Sequence, residues 1–263
     1  MPWFIRRVGT AVLLIWIVAS IVFLAIRLVP GDPAELLLSQ GGVAPDPAIV
    51  AELRDQLGLD RPLLAQYVDR FRHLAKGDLG QSLQDGAPIA REIGRRLPRT
   101  LELIGLATLF AVLVGIPSGV LAANRPGGWL DRLALFKSSL GLAVPVFVIG
   151  TVLVLVFAQT LRWVPAGGYV PLARDPGRHL LLLSMPSLAI GIGLAATVFR
   201  MTRASVLDVT QRDFVRTARA KGVAPRRILV RHVLRNALMP VVTVLALHMG
   251  TLLGGTVLVE YVF

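Results

Sequence analysis

The sequence predicts an all-α, polytopic bundle of membrane-spanning helices, and three observations predict it. Of 263 residues, 54% are hydrophobic and the mean hydropathy is +0.67, whereas a soluble domain is about half apolar at most and breaks its apolar runs with charge. Charged residues make up only 17% of the chain and are unevenly placed. Between them lie five uncharged runs, each long enough to cross a bilayer.

The runs are Val8 to Ile26, Leu103 to Asn124, Ser138 to Leu161, His179 to Phe199 and Asn236 to Val259, each bounded by charged residues. Each holds about 19 to 24 residues, and about 20 helical residues cross a hydrocarbon core of about 30 Å. One Asp, Lys or Arg at the centre of a span costs about 2.5–3.5 kcal/mol on insertion scales, so five clean gaps are a signature of lipid. Buried core helices of a large soluble protein are the competing reading, and span length disfavours it. The first run follows Arg6 and Arg7 as a signal peptide would, but its apolar stretch is longer than an h-region. No small-x-small cleavage site follows at Ala25-Ile26-Arg27-Leu28-Val29-Pro30, so it is kept as a span.

Charge sets the orientation. With the N-terminus inside, the inside segments are 1–7, 125–137 and 200–236. The last holds ten bases, from Arg200 to Arg235, against Asp208 and Asp213. The short outside loop 162–178 holds Arg162, Arg174 and Arg178. This pattern follows the positive-inside rule, and it places Phe263 outside after five spans. The formal net charge of +12 therefore points to lipid headgroups or a cytoplasmic protein rather than to nucleic acid. With no cysteine in the chain, disulfides, thiol catalysis and cysteine-ligated metals are excluded.

The chain divides into an N-terminus and first span (1–28), an outer helical segment (29–100) and a core (101–263). In the outer segment Pro30-Gly31-Asp32-Pro33 ends the first span. Asp46 caps a helix that runs to about Leu57 and stops at Gly58. Pro62 to about Ala75 forms a second helix, with Leu63, Leu64, Tyr67, Phe71 and Leu74 on one side, broken by Gly77 and Gly80. Ala87 to Arg96 forms a third. These helices make a small cap on the outer mouth, or a peripheral loop.

In the inside segment, Asp213 caps a helix on which Phe214, Val215 and Ala218 share a face. Gly222 suits the left-handed position that ends it. Pro225 suits the first turn of a second helix reaching Asn236. The residues alone leave two readings of this pair open: a compact knob that slots into a partner's groove, or a basic loop lying on anionic lipid.

Arg216-Thr217-Ala218-Arg219-Ala220-Lys221-Gly222, followed by Arg231-His232 and Arg235-Asn236-Ala237-Leu238-Met239-Pro240, resembles the cytoplasmic coupling loop of the dipeptide/oligopeptide/nickel permeases of ATP-binding-cassette (ABC) importers. Pro30-Gly31-Asp32-Pro33-Ala34, Gly77-Asp78-Leu79-Gly80-Gln81-Ser82 and Leu97-Pro98-Arg99-Thr100-Leu101-Glu102-Leu103 look like the first-permease (dipeptide permease B-like) type of that family. The likeness covers essentially the whole chain. In the wider superfamily the loop reads Glu-Ala-Ala, three residues, then Gly. Here Arg216 replaces the Glu and Thr217 the first Ala, Ala218 and Gly222 keep the pattern, and Pro240 comes later, so a salt bridge from that Glu is not carried over.

The resemblance implies a partner set: a second homologous permease, two cytoplasmic ATP-binding subunits and an extracytoplasmic substrate-binding protein. ATP would be bound by the partner subunits, with no cofactor or metal in this chain. It implies six spans, one of them beyond Phe263, in a bacterial inner membrane with the N-terminus cytoplasmic. By matching position it gives the ATPase-coupling role to 201–236, with Phe214, Arg216, Thr217, Ala218, Lys221 and Gly222 as the coupling residues. It names no pathway-lining residue, and the substrate stays open among dipeptides, longer peptides, nickel chelates and glycosides.

Within the spans, Gly115 and Gly119 form a G-x-x-x-G pair, as do Gly250 and Gly254, which suits close packing. Pro117, Pro145 and Pro186 are placed to kink three spans. His248 is the polar residue deepest in the fifth run, either functional or bonded to a neighbouring helix. An integral membrane enzyme is the alternative class, but H-E-x-x-H and G-x-S-x-G are both absent. A stand-alone secondary transporter would show internal repeats and buried ions, and neither is present. The lysines are Lys76, Lys137 and Lys221 and none follows a glycine, so a phosphate-cradling loop is missing.

Overall fold

A computed structural model describes residues 2–28, 33–38, 46–56, 58–82 and 86–255. Among them all regular elements are helices, with one isolated bridge between Gln81 and Pro88. The chain forms two compact units, Met1–Arg95 and Arg96–Phe263.

In the first unit, α1 (Pro2–Leu28) is one helix through the first apolar run. α2 (Pro33–Leu38) and α3 (Pro47–Gln56) follow. Asp46 caps α3 as its sequence predicts, its Oδ1 accepting the Ala48 N–H at 2.9 Å. Leu57, the predicted last residue, lies outside the described residues. α4 (Leu63–Ala75) seats its aromatic side on α1: Tyr67 Oη is 2.7 Å from Ser20 Oγ, and its ring meets Phe23 edge-on at 5.5 Å. After α4, Gly77 and Gly80 both take positive φ. Between them Asp78 accepts the Gly80 N–H at 2.8 Å and faces His73 Nδ1 at 2.9 Å. These donors, the Gly80 N–H foremost, hold the Asp78 carboxyl below its ordinary value.

The second unit carries the remaining spans. Among the described residues four helices are long and apolar enough to cross a membrane: α1, α5 (Ile89–Asn124), α8 (Pro176–Thr210) and α10 (Pro225–Gly255). A bent pair, α6 (Trp129–Ala143) and α7 (Val146–Thr160), makes a fifth when counted as one span. The polytopic helical bundle is thus present, with four departures from its predicted details.

The outer helix 87–96 is the first part of α5, not a separate element. Pro98 forfeits one bond, to the Gly94 carbonyl, but Leu, Arg and Glu propagate the helix on both sides of it. The third run is bent by 100° at Val144–Pro145 and starts at Trp129 rather than Ser138. Pro145 has no N–H to continue α6, and Val144 takes the extended conformation favoured before proline (φ −85°, ψ 124°). The fourth helix overruns Phe199 to Thr210. Arg200 and Arg203 mark where lipid ends, and a charge does not end a helix. Finally, the helix starting at Pro225 does not stop at Asn236. It passes through a wider π-type turn, Ile228–Leu234, straight into the fifth span, because no glycine or proline interrupts 226–239.

α8 is the core of this unit: 67% of its span window is buried, against 17% for α10. Asp175 caps it by accepting the Arg178 N–H at 2.9 Å, with Pro176 in the first turn. α5 packs along it through notches. A Cβ on Gly115 would lie 2.8 Å from Val198 Cβ, one on Gly119 2.8 Å from Thr202 Cβ, and one on Gly191 2.7 Å from Phe110 Cδ1. The first G-x-x-x-G pair is therefore a helix-packing seam, whereas a Cβ on Gly250 or Gly254 would meet no neighbouring element within 4 Å among the described residues. His248 is half-buried, and its ring has no hydrogen-bond partner among the described residues.

Candidate functional site

The predicted coupling residues fall on α9 (Asp213–Ala220) and the turn that closes it. The helix starts one residue earlier than a cap at Asp213 implies. Arg212 holds the cap position with extended backbone (φ −72°, ψ 150°) and no side-chain cap, and Asp213 is the first helical residue. There its carboxylate still faces the positive helix end. The stop matches expectation. Gly222 has φ +72°, its N–H bonds to the Arg219 carbonyl at 2.9 Å, and the Val223 N–H bonds to the Ala218 carbonyl at 3.2 Å. These two bonds form a Schellman closure, which needs a left-handed residue at Gly222.

Val215 and Ala218 point into the protein. They join Val206 and Val209 of α8, Ile228, Val233 and Ala237 of α10, and Ala123 of α5 in one buried cluster. Phe214 does not share that face. It is 42% exposed, because neighbours on a helix are turned about 100° from each other. Arg216, Thr217, Lys221 and Gly222 are exposed as well. Thr217 Oγ1 bonds back to the Asp213 carbonyl at 3.0 Å, and Arg216 reaches Asp213 only loosely at 3.6 Å. α9 is therefore pinned on one side and free on the other, its free side carrying an aromatic ring and cations. Beside Phe214 opens a groove of about 520 Å³, lined by Ser205 and Asp208 of α8 and by Asn236, Met239 and Pro240 of α10.

A second feature at the same end was not read from the sequence. Asp131 of α6, 1% exposed, is gripped by Arg203 of α8, with Nε to Oδ1 at 2.6 Å and Nη2 to Oδ2 at 2.7 Å. The Gly127 N–H adds a third bond at 2.8 Å. The available signal was that Asp131 is the sole acid of 125–137. A lone carboxylate among bases at a span end calls for a partner.

Comparison with known proteins gives the family. Residues 115–263 match the family described as "Binding-protein-dependent transport system inner membrane component", and residues 1–104 match its N-terminal companion. The chain is 37% identical over 261 residues to a probable peptide ABC transporter permease of Sinorhizobium fredii, covering 99% of this chain and 82% of that protein. It is 38% identical over 281 residues to a di/tripeptide transport system permease of Pseudomonas aeruginosa (98% and 82% covered). It is 39% identical over 259 residues to a glutathione transport system permease of Escherichia coli (98% and 81% covered). A bundle of apolar helices, a short helix pinned at its basic end and matches along nearly the whole chain lead to one assignment: this protein belongs to the inner-membrane component family of binding-protein-dependent transport systems and is a multi-pass permease subunit of an ABC importer.

Proposed function

We propose that this permease carries small peptides, of the size of di- and tripeptides, and that α9 is where its ATPase engages. The observation that carries the second part is the two-sided character of α9: Val215 and Ala218 lock it into the bundle, while Phe214, Arg216, Thr217 and Lys221 face outward beside a groove. A rigid, partly apolar projection is what a motor needs to push on. Force applied to a floppy loop is lost, whereas force applied to a packed helix reaches α8 and α10 together. The names of the relatives support the substrate class.

On this reading the basic end is cytoplasmic, the N-terminus lies on the same side, and the short loop before α8 faces outward, following the excess of Lys and Arg. A second homologous permease completes the pathway. Two separate subunits bind ATP, consistent with the lack of a phosphate-cradling motif here, and an outer binding protein delivers the peptide. The test is assembly and transport. The tagged chain, expressed with its gene neighbours, is expected to co-purify with a P-loop ATPase and, in proteoliposomes, to take up labelled dialanine or glutathione only when ATP and the binding protein are present. ATP-independent uptake by the chain alone would refute the proposal.

A further inference from the structure

α6 and α8 are tied together at three successive levels. At the basic end Arg203 grips the buried Asp131 with two bonds, and the Gly127 N–H supplies a third. One turn away Arg200 donates from Nε to Ser138 Oγ at 3.1 Å and from Nη2 to Ser139 Oγ at 2.8 Å. Further along, Gly141 lies against α8 so closely that a Cβ there would sit 3.4 Å from Ala196 Cβ and 3.4 Å from the Ile192 carbonyl. Among the described residues the seam of α5 on α8 is different: it is built of glycine notches against Val198, Thr202 and Phe110, with the Glu102–His179 contact at its far end.

The two helices also have distinct positions in the chain. α8 is uninterrupted to Thr210 and hands over to α9 within two residues. α6 ends at the 100° bend from which α7 departs. A displacement of α9 is delivered to α8 directly. It reaches the bend through the ties between α8 and α6, and also through the packing of α7 on α8, where Val146 lies in the cluster of Ile190.

We infer that α6 and the part of α8 from Ile192 to Thr210 form one rigid arm, kept closed throughout the transport cycle by the Asp131–Arg203 pair, so that motion of α9 swings the bend at Val144–Pro145. This rests on the reading of α9 as the ATPase contact. The physical ground is asymmetry of cost. A bidentate, charge-assisted pair with a third donor resists opening, because opening strands a desolvated carboxylate, a cost that the parting of two apolar faces does not carry. Asp131 and Arg203 are thus positioning residues, acting through the helices they join.

The chain has no cysteine, so an engineered pair is its sole source of thiols, and the importer without the pair, oxidised in parallel, controls for those of the partner subunits. Gly141→Cys with Ala196→Cys places two sulfurs on carbons about 3.4 Å apart, close to the roughly 3.5–4.5 Å of a disulfide. The assembled importer in proteoliposomes would be assayed for dialanine and glutathione uptake and for phosphate release together. If the arm is rigid, oxidising the cysteine pair leaves uptake within about twofold of the reduced protein, since the link joins parts that do not separate. Asp131→Asn is expected to keep hydrolysis but lower peptide carried per ATP by about tenfold or more. Oxidising the cysteine pair in the Asp131→Asn background is expected to restore that ratio, a rescue that a general folding defect would not show. An oxidised pair that halts uptake until reductant is added would overturn the arm, as would an Asp131→Asn protein as well coupled as its parent. Unaltered protein that neither hydrolyses ATP with its partners nor moves either peptide would instead refute the reading of α9 on which the arm depends.

Discussion

Nε2 of His179 lies 3.6 Å from Oε2 of Glu102, joining the start of α8 to α5 at the end of the bundle opposite α9. The other ring nitrogen, Nδ1, is 2.7 Å from the Val170 carbonyl. A carbonyl only accepts, so Nδ1 carries the hydrogen. The ring also meets Tyr169 edge-on at 5.8 Å, and Arg99 covers the Tyr169 ring at 4.0 Å. His179 is thus the peg that holds the loop before α8 against α5. Replacing it by Ala is expected to destabilise the protein by about 1–3 kcal/mol, the usual cost of leaving a buried polar group unpaired. Asn, which keeps a donor near Nδ1, is expected to recover much of that. Melting in detergent and deuterium uptake across residues 163–175 would show it, and equal exchange in all three proteins would remove His179 from this role.

The notches of α5 make a sharper steric prediction. Gly115→Ala adds a methyl 2.8 Å from Val198 Cβ and 2.9 Å from the Ala195 carbonyl, and Val198 is itself fully buried. Overpacking of this kind costs about 1–3 kcal/mol. Gly250→Ala meets nothing within 4 Å and is expected to leave the melting temperature of the isolated chain unchanged or slightly raised. A Gly115→Ala protein as stable as its parent would contradict the seam.

Gly222 tests the closing turn of α9. A Cβ there has open space, so the penalty of Gly222→Val is purely conformational: φ +72° is about 1–2 kcal/mol unfavourable for an L-residue and worse when β-branched. That is too little to unfold the bundle but enough to reshape the turn. The variant is expected to reach the membrane in normal amount while hydrolysis no longer drives uptake. Membrane content by blotting and the uptake-to-hydrolysis ratio check both halves, and normal uptake would count against a coupling role for this turn.

In the outer segment, Asp78 is held below its ordinary value of 3.8 by the Gly80 N–H and His73. A carboxyl whose folded value is depressed contributes its stabilisation fully above the unfolded value, and the contribution is lost as pH falls through the folded value. The turn 76–82 should therefore keep its form at neutral pH and loosen only below pH 3.8. The Gly80 amide proton shift is the direct reporter. It should titrate there in the parent and stay flat in Asp78→Asn, and a titration centred above the ordinary carboxylate range would reverse the sign of the argument.

Much of this architecture is written locally. A span is a length without charge, and all five runs have a helical counterpart in the structure. Gly222 announces its turn because only one kind of backbone suits that position. What escaped the sequence depends on which helices end up as neighbours. Asp131 and Arg203 are separated by 72 positions, and nothing near either names the other. Spacing alone groups Phe214 with Val215 and Ala218, yet Phe214 is turned about 100° from Val215 and lies outside the core that takes the other two. The overrun of α8 and the merger of the helix starting at Pro225 with the fifth span share a cause: hydropathy locates the lipid boundary and is silent about where a helix stops.

The elbow at Val144–Pro145 has a consequence for where water must be. A straight helix would satisfy the Gly141 carbonyl with the amide four residues on, but that residue is Pro145, which has none to give. The first amides of α7 likewise have no preceding turn to bond. Hydrocarbon offers such groups nothing, so spanning backbone is tolerated in this form only where it is covered by polypeptide or wetted. The third apolar run therefore cannot stand as a post surrounded by acyl chains. Its corner belongs against neighbouring polypeptide, as the Gly141 carbonyl beside Gly193 of α8 already is, or where water or headgroups reach its remaining amides.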